Sequence, residues 1–269
     1  MTESVPLSKQ ISFQTSSQTS SVQTADRISQ ILDCFSKNVP QLNMTQISKV
    51  IGLSTSTTHR LLGAMEKNGL LGRAPDGKKY QLGHRLLHWG AIAQASTSIQ
   101  LQARPLLEEL THETRETAVL TIRDGNWAIC VDRVDSPNSL LQTMALGKRI
   151  PLHAGSSAKV LLAWQSSLEI EQIIEEVGLP KLLDNTITKY PDLLLNLKKI
   201  REQGYAVSFE ERDPGTAGLT VPIFDNHGKV IAGMGIIGPI VRLSADMIQS
   251  HLPTLTALSA RLSALQGYS

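Results

Sequence analysis

Between residues 22 and 96 the apolar positions recur every three or four residues, in short blocks separated by turn-forming groups. Val22, Ile28, Ile31, Leu32 and Phe35 fall on one side of a helix that begins at Ser21. Met44, Ile47, Val50 and Ile51 define a second helix, which Asn43 is placed to cap. Gly52 supplies the left-handed conformation that ends it, and Leu53 plugs the corner. Ser54 then caps a third helix, over 54–67, whose inner stripe is Thr58, Leu61, Leu62 and Met65. Residues 70–83, LLGRAPDGKKYQLG, read as two short strands around a Pro-Asp-Gly-Lys turn. HRLLHWGAIAQAS, from 84 to 96, is a further helix carrying Leu86, Leu87, Trp89 and Ile92. A helix this apolar and this isolated predicts burial against a partner chain.

From about Ile99 the period changes. LQARPLLEELTHETRE is helical, whereas TAVLTIR and NWAICVDRV alternate as strands around Asp124-Gly125. LLQTM reads as another strand, and a helix starts near Ser156 with Val160, Leu161, Leu162 and Trp164. Helices over 169–177 and 191–203 follow. GYAVSFE, AGLTVPIFD and KVIAGMGII are three closing strands, and a terminal helix runs from Ser244 to about Gln266. Strands linked mainly by hairpins, with helices grouped around them, predict an α+β sensor-type domain with an antiparallel sheet.

The free face of the 54–67 helix gives the N-terminal block its chemistry. Ser54, Thr55, Ser56, Thr57, His59 and Arg60 cluster at its start, the part of a recognition helix that reaches base edges in the major groove. Hydroxyls reach bases or phosphates, and Arg grips guanine with two bonds. The hairpin that follows is the wing of a winged helix-turn-helix, with Arg73, Lys78 and Lys79 placed to meet phosphate. Charge agrees: from Gln41 to Arg85 there are seven Lys or Arg against two acids, in a chain of net charge +2. The positive field is local, as a DNA-facing surface requires.

Composition narrows the remaining classes. A chain of 269 residues with 41% apolar content has room for two domains. No segment approaches the roughly 18 uninterrupted apolar residues of a membrane span. Without a secretory pattern at the N-terminus, a cytoplasmic location is expected. Residues 1–21 are rich in Ser, Thr and Gln, and are expected to form a disordered tail. The two cysteines, Cys34 and Cys130, make no metal site and read as buried small hydrophobes, with redox sensing a minor alternative. The expected division is a tail over 1–21, a winged helix-turn-helix over 22–83, a linker helix over 84–97 and a sensor domain over 98–269.

Several strings in this order resemble the IclR family of bacterial transcriptional regulators: STSTTHRLLGAMEKNGLL, YQLGHRLL, IPLHAGSSAKVLLA and GYAVSFEERDPGTAGLTVPIFDNHGKVIAGMGIIGP. The resemblance covers nearly everything after the tail. It implies a winged helix-turn-helix, a linker helix and a GAF-like effector domain. It also implies dimers or tetramers on inverted-repeat operators in double-stranded DNA, with a small metabolite altering DNA binding, and no cofactor. Members that bind small organic acids use the backbone at positions matching Ala154, Gly155 and Ser156. A helix N-terminus there is a ready site for a carboxylate, with Leu141, Met144 and Leu146 as apolar walls. This chain departs from those members at three places. It has Ser208 in place of an Asp and Gly218 in place of a Cys. Gly235 and Ile237 stand in a strand that elsewhere reads Ser-x-Ser-Gly-Pro. The departures predict a wider, less polar pocket and an aromatic or partly apolar acid as effector.

Four further motifs are set aside. Gly233-x-Gly235-x-x-Gly238 matches a dinucleotide-binding pattern, but Pro239 follows and no helix opens there; a packed strand of small residues is expected instead. Ser156-x-x-Lys159 lacks the partner motifs of a serine β-lactamase, which leaves Lys159 on the face of its helix. His84 and His88 have metal-pair spacing without a third ligand. Glu210-Glu211-Arg212-Asp213 reads as a turn rim. The alternative function is an enzyme acting on a small acid in a 150–240 pocket with an accessory winged domain. Against it stands the absence of a nucleophile–base–orienter set.

Overall fold

The computed structural model describes residues 22–36, 39–95, 98–138 and 144–268. They fall into two compact units, 1–93 and 94–269.

In the first unit, α1 (Val22–Asp33), α2 (Met44–Ile51) and α3 (Thr55–Lys67) precede a hairpin of β1 (Leu71–Arg73) and β2 (Tyr80–Leu82). The predicted caps are in place. Asn43 and Gln46 form a reciprocal capping box on α2, and Gly52 ends it at φ +66°. Ser54 Oγ accepts from Thr57 N at 3.3 Å, and Ser48 Oγ ties down Leu53 O at 2.8 Å. Ile31, Leu42, Ile47, Leu62, Met65, Leu71 and Tyr80 close the core, with Leu61 packed at its margin. The hairpin is stitched to the chain before α2, because Leu42 and Tyr80 exchange two backbone hydrogen bonds. Gly83 has no alternative residue: a Cβ there would lie 2.1 Å from Gly69 O, where the chain leaving β2 crosses the end of α3. After the hairpin comes α4 (Arg85–Ala95). Its Leu87, Trp89 and Ile92 are 72%, 44% and 53% exposed, so the apolar stripe expected of this helix is open to solvent in the single chain.

The second unit is a six-stranded sheet between two helical layers. Its elements are α5 (Ser98–Thr114), β3 (Thr117–Asp124), β4 (Trp127–Val134), β5 (Arg149–Pro151), α6 (Ser156–Ala163), α7 (Ser167–Val177), α8 (Tyr190–Gln203), β6 (Ala206–Phe209), β7 (Thr216–Phe224), β8 (Val230–Pro239) and α9 (Ala245–Leu265). Strand order is β5-β4-β3-β8-β7-β6, and every pairing is antiparallel. Strand β5 is an addition to the expected set; three residues are too few to show a period of two. The strand expected over LLQTM lies, up to residue 143, outside the described residues.

Alternation along the strands sorts the two faces. Leu219, Val221 and Ile223 of β7, with Ala232, Met234 and Ile236 of β8, meet α5 and α9. The opposite face carries small groups: Gly218 and Thr220 on β7, Gly233 and Gly235 on β8. Helix α6, all eight of whose residues are buried, lies on that face. A Cβ on Gly233 would already press on Val160 at 3.2 Å. The glycine run is therefore the packed strand expected of it, with no nucleotide-binding turn. A second consequence is that Lys159 has no solvent face to occupy.

Candidate functional site

On α3, Ser54, Thr55, Ser56, His59 and Arg60 are exposed and Thr57 is half-buried, while Thr58 turns inward. Ser54 Oγ also meets Ser56 Oγ at 3.1 Å and Thr57 Oγ1 at 2.9 Å, so the hydroxyls form a pre-ordered cluster around the cap. At the wing tip, Asp76 Oδ1 accepts from the backbone of Lys78 and Lys79 at 2.9 and 3.1 Å. Those two bonds hold the Asp76 carboxyl below the usual range. They also fix the turn that presents both lysines.

Arg73, expected to meet phosphate, is already paired within the unit, with 42% of its side chain left exposed. Its Nε and Nη2 grip Glu66 at 2.9 and 3.1 Å, Nη2 reaches Tyr80 Oη at 2.7 Å, and the guanidinium lies 4.0 Å over the Tyr80 ring. Glu66 raises its already high pKa further. Arg73 braces the wing against α3.

In the second unit, a cleft opens at the start of α6. Gly155 (φ +88°) turns the chain into the helix. Five of the ten expected effector residues line this cleft: Gly155, Ser156, Ser208, Gly218 and Ile237. Four of the others do not. Ala154 and Gly235 are sealed in the packing, and a Cβ on Gly235 would meet Leu219 O at 2.5 Å. Met144 is buried beside the cleft, its sulfur 3.9 Å from Arg212 Nη1. Leu146 is 49% exposed and forms no wall, and Leu141 lies outside the described residues.

The lining overturns the expected wide, weakly polar pocket. The free volume is about 20 Å³, room for one water. The walls missed from sequence include Glu211, Arg212 and Thr216. Glu211 is no turn rim: it is buried, with Oε1 2.5 Å from Lys159 Nζ and Oε2 accepting from Gly155 N at 2.9 Å. Lys159, 1% exposed, is correspondingly not on a helix face; its Nζ also donates to Val207 O at 3.3 Å. Ser156 N donates to Ser208 Oγ at 3.0 Å. The first two amides of the α6 turn are thus already held, by a carboxylate and a hydroxyl from β6 and the segment after it. The signal for this was present: a lone Lys among the small and apolar residues of SSAKVLLA has no charged side to share, and four charges directly after a strand can supply its partner.

Other expectations resolve simply. Cys130 is buried and Cys34 only partly so, but burial pushes their thiols up to about 12 and about 11, leaving almost no thiolate for redox chemistry. Among the described residues no group of three or more His, Cys, Asp or Glu could hold a metal ion. No helix among them is long and apolar enough to cross a membrane.

His153, just before the cleft, is buried with Nε2 3.1 Å from Pro180 O. Burial lowers its pKa, outweighing that hydrogen bond and the pull of Glu211. Its neutral form is favoured in the folded state, so the unfolded chain binds more protons once pH drops below about 6.5. The melting temperature of the second unit should therefore fall between pH 7.5 and 5.5. His153→Gln should flatten that slope, and an unchanged slope would place the titration elsewhere.

A winged helix-turn-helix joined to an α+β unit with a polar cleft at a helix N-terminus defines a DNA-binding regulator with a separate effector domain. The comparisons assign the family. The model described as "Bacterial transcriptional regulator IclR C-terminal" matches residues 92–264, and the IclR helix-turn-helix domain matches 24–75. The HTH-type transcriptional regulator XynR of Escherichia coli is 30% identical over 92% of this chain and 98% of its own length. KdgR of the same organism is 33% identical over 85% and 87%. The crystal structure of the Thermotoga maritima IclR superposes with a TM-score of 0.69 at 29% identity, covering 92% of this chain and all of that one. The chain belongs to the IclR family of transcriptional regulators.

Proposed function

We propose that this regulator binds an inverted-repeat operator as a homo-oligomer, and that a small, partly apolar organic acid entering the α6 cleft alters that binding. The α3 cluster from Ser54 to Arg60 reads bases, with Lys78 and Lys79 on phosphate. The exposed Leu87, Trp89 and Ile92 of α4 are the surface on which a second chain docks.

One observation carries the effector reading: the Ser156 amide that a carboxylate would use is held only by a neutral hydroxyl, that of Ser208. Ser208 Oγ needs only a rotamer change to release Ser156 N–H. Arg212, which lines the cleft and is anchored to Asp213 through Nε at 2.6 Å, keeps Nη1 beside the buried Met144. An acid would take Ser156 N–H and Arg212 with its head, and lay its body against Ile237 and Met144. At about 20 Å³ the cleft must open to admit it. The acid therefore selects an open state, and DNA affinity changes to the extent that the two states differ in it.

Ser208→Ala tests this directly. It removes the internal competitor and leaves the amide unpaired, at about 1–3 kcal/mol to the ligand-free state. Thermal-shift titrations with aliphatic and aromatic monocarboxylates should show a lower melting temperature without ligand and a larger rise with the binding acid than in the wild type. An equal rise in both proteins would mean that the acid never uses this amide.

A further inference from the structure

A free space larger than the α6 cleft lies elsewhere in the effector unit. A groove of about 220 Å³ runs along the edge strand β6, between α8 and the start of α9. For comparison, a dry cavity of about 150 Å³ holds a benzene ring. The two sites share β6 but use its opposite faces. Ser208 points to the cleft, while Tyr205, Val207 and Phe209 line the groove.

The groove has a fixed apolar bed and loose polar ends. Ile200 and Ile248 are buried beneath it. Tyr205 is held from two sides, since Gln203 Nε2 donates to its carbonyl at 2.6 Å and Gln249 Nε2 to its hydroxyl at 3.2 Å. One buried polar atom of the groove is not satisfied, and one exposed cation at its rim is uncommitted. Asn196 Oδ1 is buried with no hydrogen-bond partner among the described residues, which is a costly state for a carbonyl oxygen unless something else supplies a donor. Lys199 lines the same groove and, among the described residues, has neither an ion pair nor a hydrogen-bonded partner.

We propose that this groove is a second ligand site, taking a small monocarboxylate with a single ring or a short branched chain. The carboxylate pairs with Lys199, the body lies against Tyr205, Val207 and Phe209, and a hydroxyl or other donor on the ligand satisfies Asn196. The volume admits one ring. Because the bed includes β6, a ligand here presses on the strand whose next residue holds the start of α6. The proposal stands whether or not the cleft binds an acid.

The test is a titration of the full-length protein with 3-hydroxybenzoate and with 3-hydroxyisovalerate, each carrying a carboxylate and one hydroxyl donor, read by saturation-transfer NMR and calorimetry. It compares the wild type with three variants, each with its melting temperature checked. Ala245 lines the groove and is exposed at the first turn of α9, so Ala245→Trp fills the space with little strain. Lys199→Met removes the cation and keeps its stem. Arg212→Met disables the cleft. At least one probe should bind the wild type saturably, about tenfold more weakly to Lys199→Met, not at all to Ala245→Trp, and unchanged to Arg212→Met. Absence of saturable binding by either probe overturns the proposal. So does binding that survives Ala245→Trp, or binding lost only in Arg212→Met, which would put the acid in the cleft.

Discussion

Replacing Lys159 with methionine is expected to destabilise the effector unit by about 3–5 kcal/mol, the largest effect of any single substitution considered. The two side chains have similar length and volume, so packing around α6 is nearly preserved. What disappears is the ammonium 2.5 Å from Glu211. Glu211 is then a carboxylate in a protein interior with the Gly155 amide as its remaining donor. Urea unfolding followed by the fluorescence of Trp127 and Trp164, both in this unit, measures the loss. Adding Glu211→Leu should recover most of it, because a buried ion pair exchanged for apolar groups is often close to neutral. A residual deficit of about 1–3 kcal/mol should remain from the unpaired Gly155 N–H. A single variant that loses less than about 1 kcal/mol would mean that the pair is hydrated in solution.

The second large effect concerns DNA. Arg60→Ala should weaken operator binding by about 1–3 kcal/mol and relax preference at one base-pair position, as removal of a base-reading Arg does. Lys78→Ala and Lys79→Ala should instead weaken binding to all sequences, each lowering the salt slope by about 1. Arg73→Ala belongs to neither class. Its guanidinium is spent on Glu66 and Tyr80, so its loss should loosen the wing and show first as reduced stability of the N-terminal unit. Competition binding against single-position operator variants separates the three outcomes. An Arg60→Ala protein with unchanged sequence preference would assign that residue to phosphate.

Most of the architecture was legible because it rests on local signals. Asn43, Gly52 and Ser54 mark helix ends through their own backbone chemistry, and Asp124-Gly125 marks a hairpin. The period of two is strong in β4, whose buried and half-buried positions alternate, whereas β3 is buried on both faces over 118–121 and was legible from its apolar run and the Asp124-Gly125 turn. The site was less legible because it is made by distant contacts. Lys159 and Glu211 are 52 positions apart, and neither has a local pattern naming the other. Glu116 and Arg242 show the same limit: 126 residues apart, they form a two-pronged pair at 2.6 and 2.8 Å. The pairing of Arg73 was missed for a related reason. A basic residue on a wing looks free until Glu66, one α-helical turn from the hairpin, is seen to face it. Gly235 differs in the opposite sense: a small residue in a strand signals close approach, and here what approaches is the neighbouring strand β7, through Leu219 O and Thr220 Oγ1.

The central claim is that one chain couples specific DNA recognition to a small-molecule cleft. Fluorescence anisotropy on the intergenic DNA upstream of the protein's own gene tests it most directly, against scrambled DNA of equal length, at two salt concentrations, with and without an acid that raises the melting temperature. The account predicts tighter binding to the cognate fragment, steep weakening with salt, and a shift in affinity when the acid is added that Ser208→Ala alters. Equal, weak binding to both fragments that no such acid moves would contradict it.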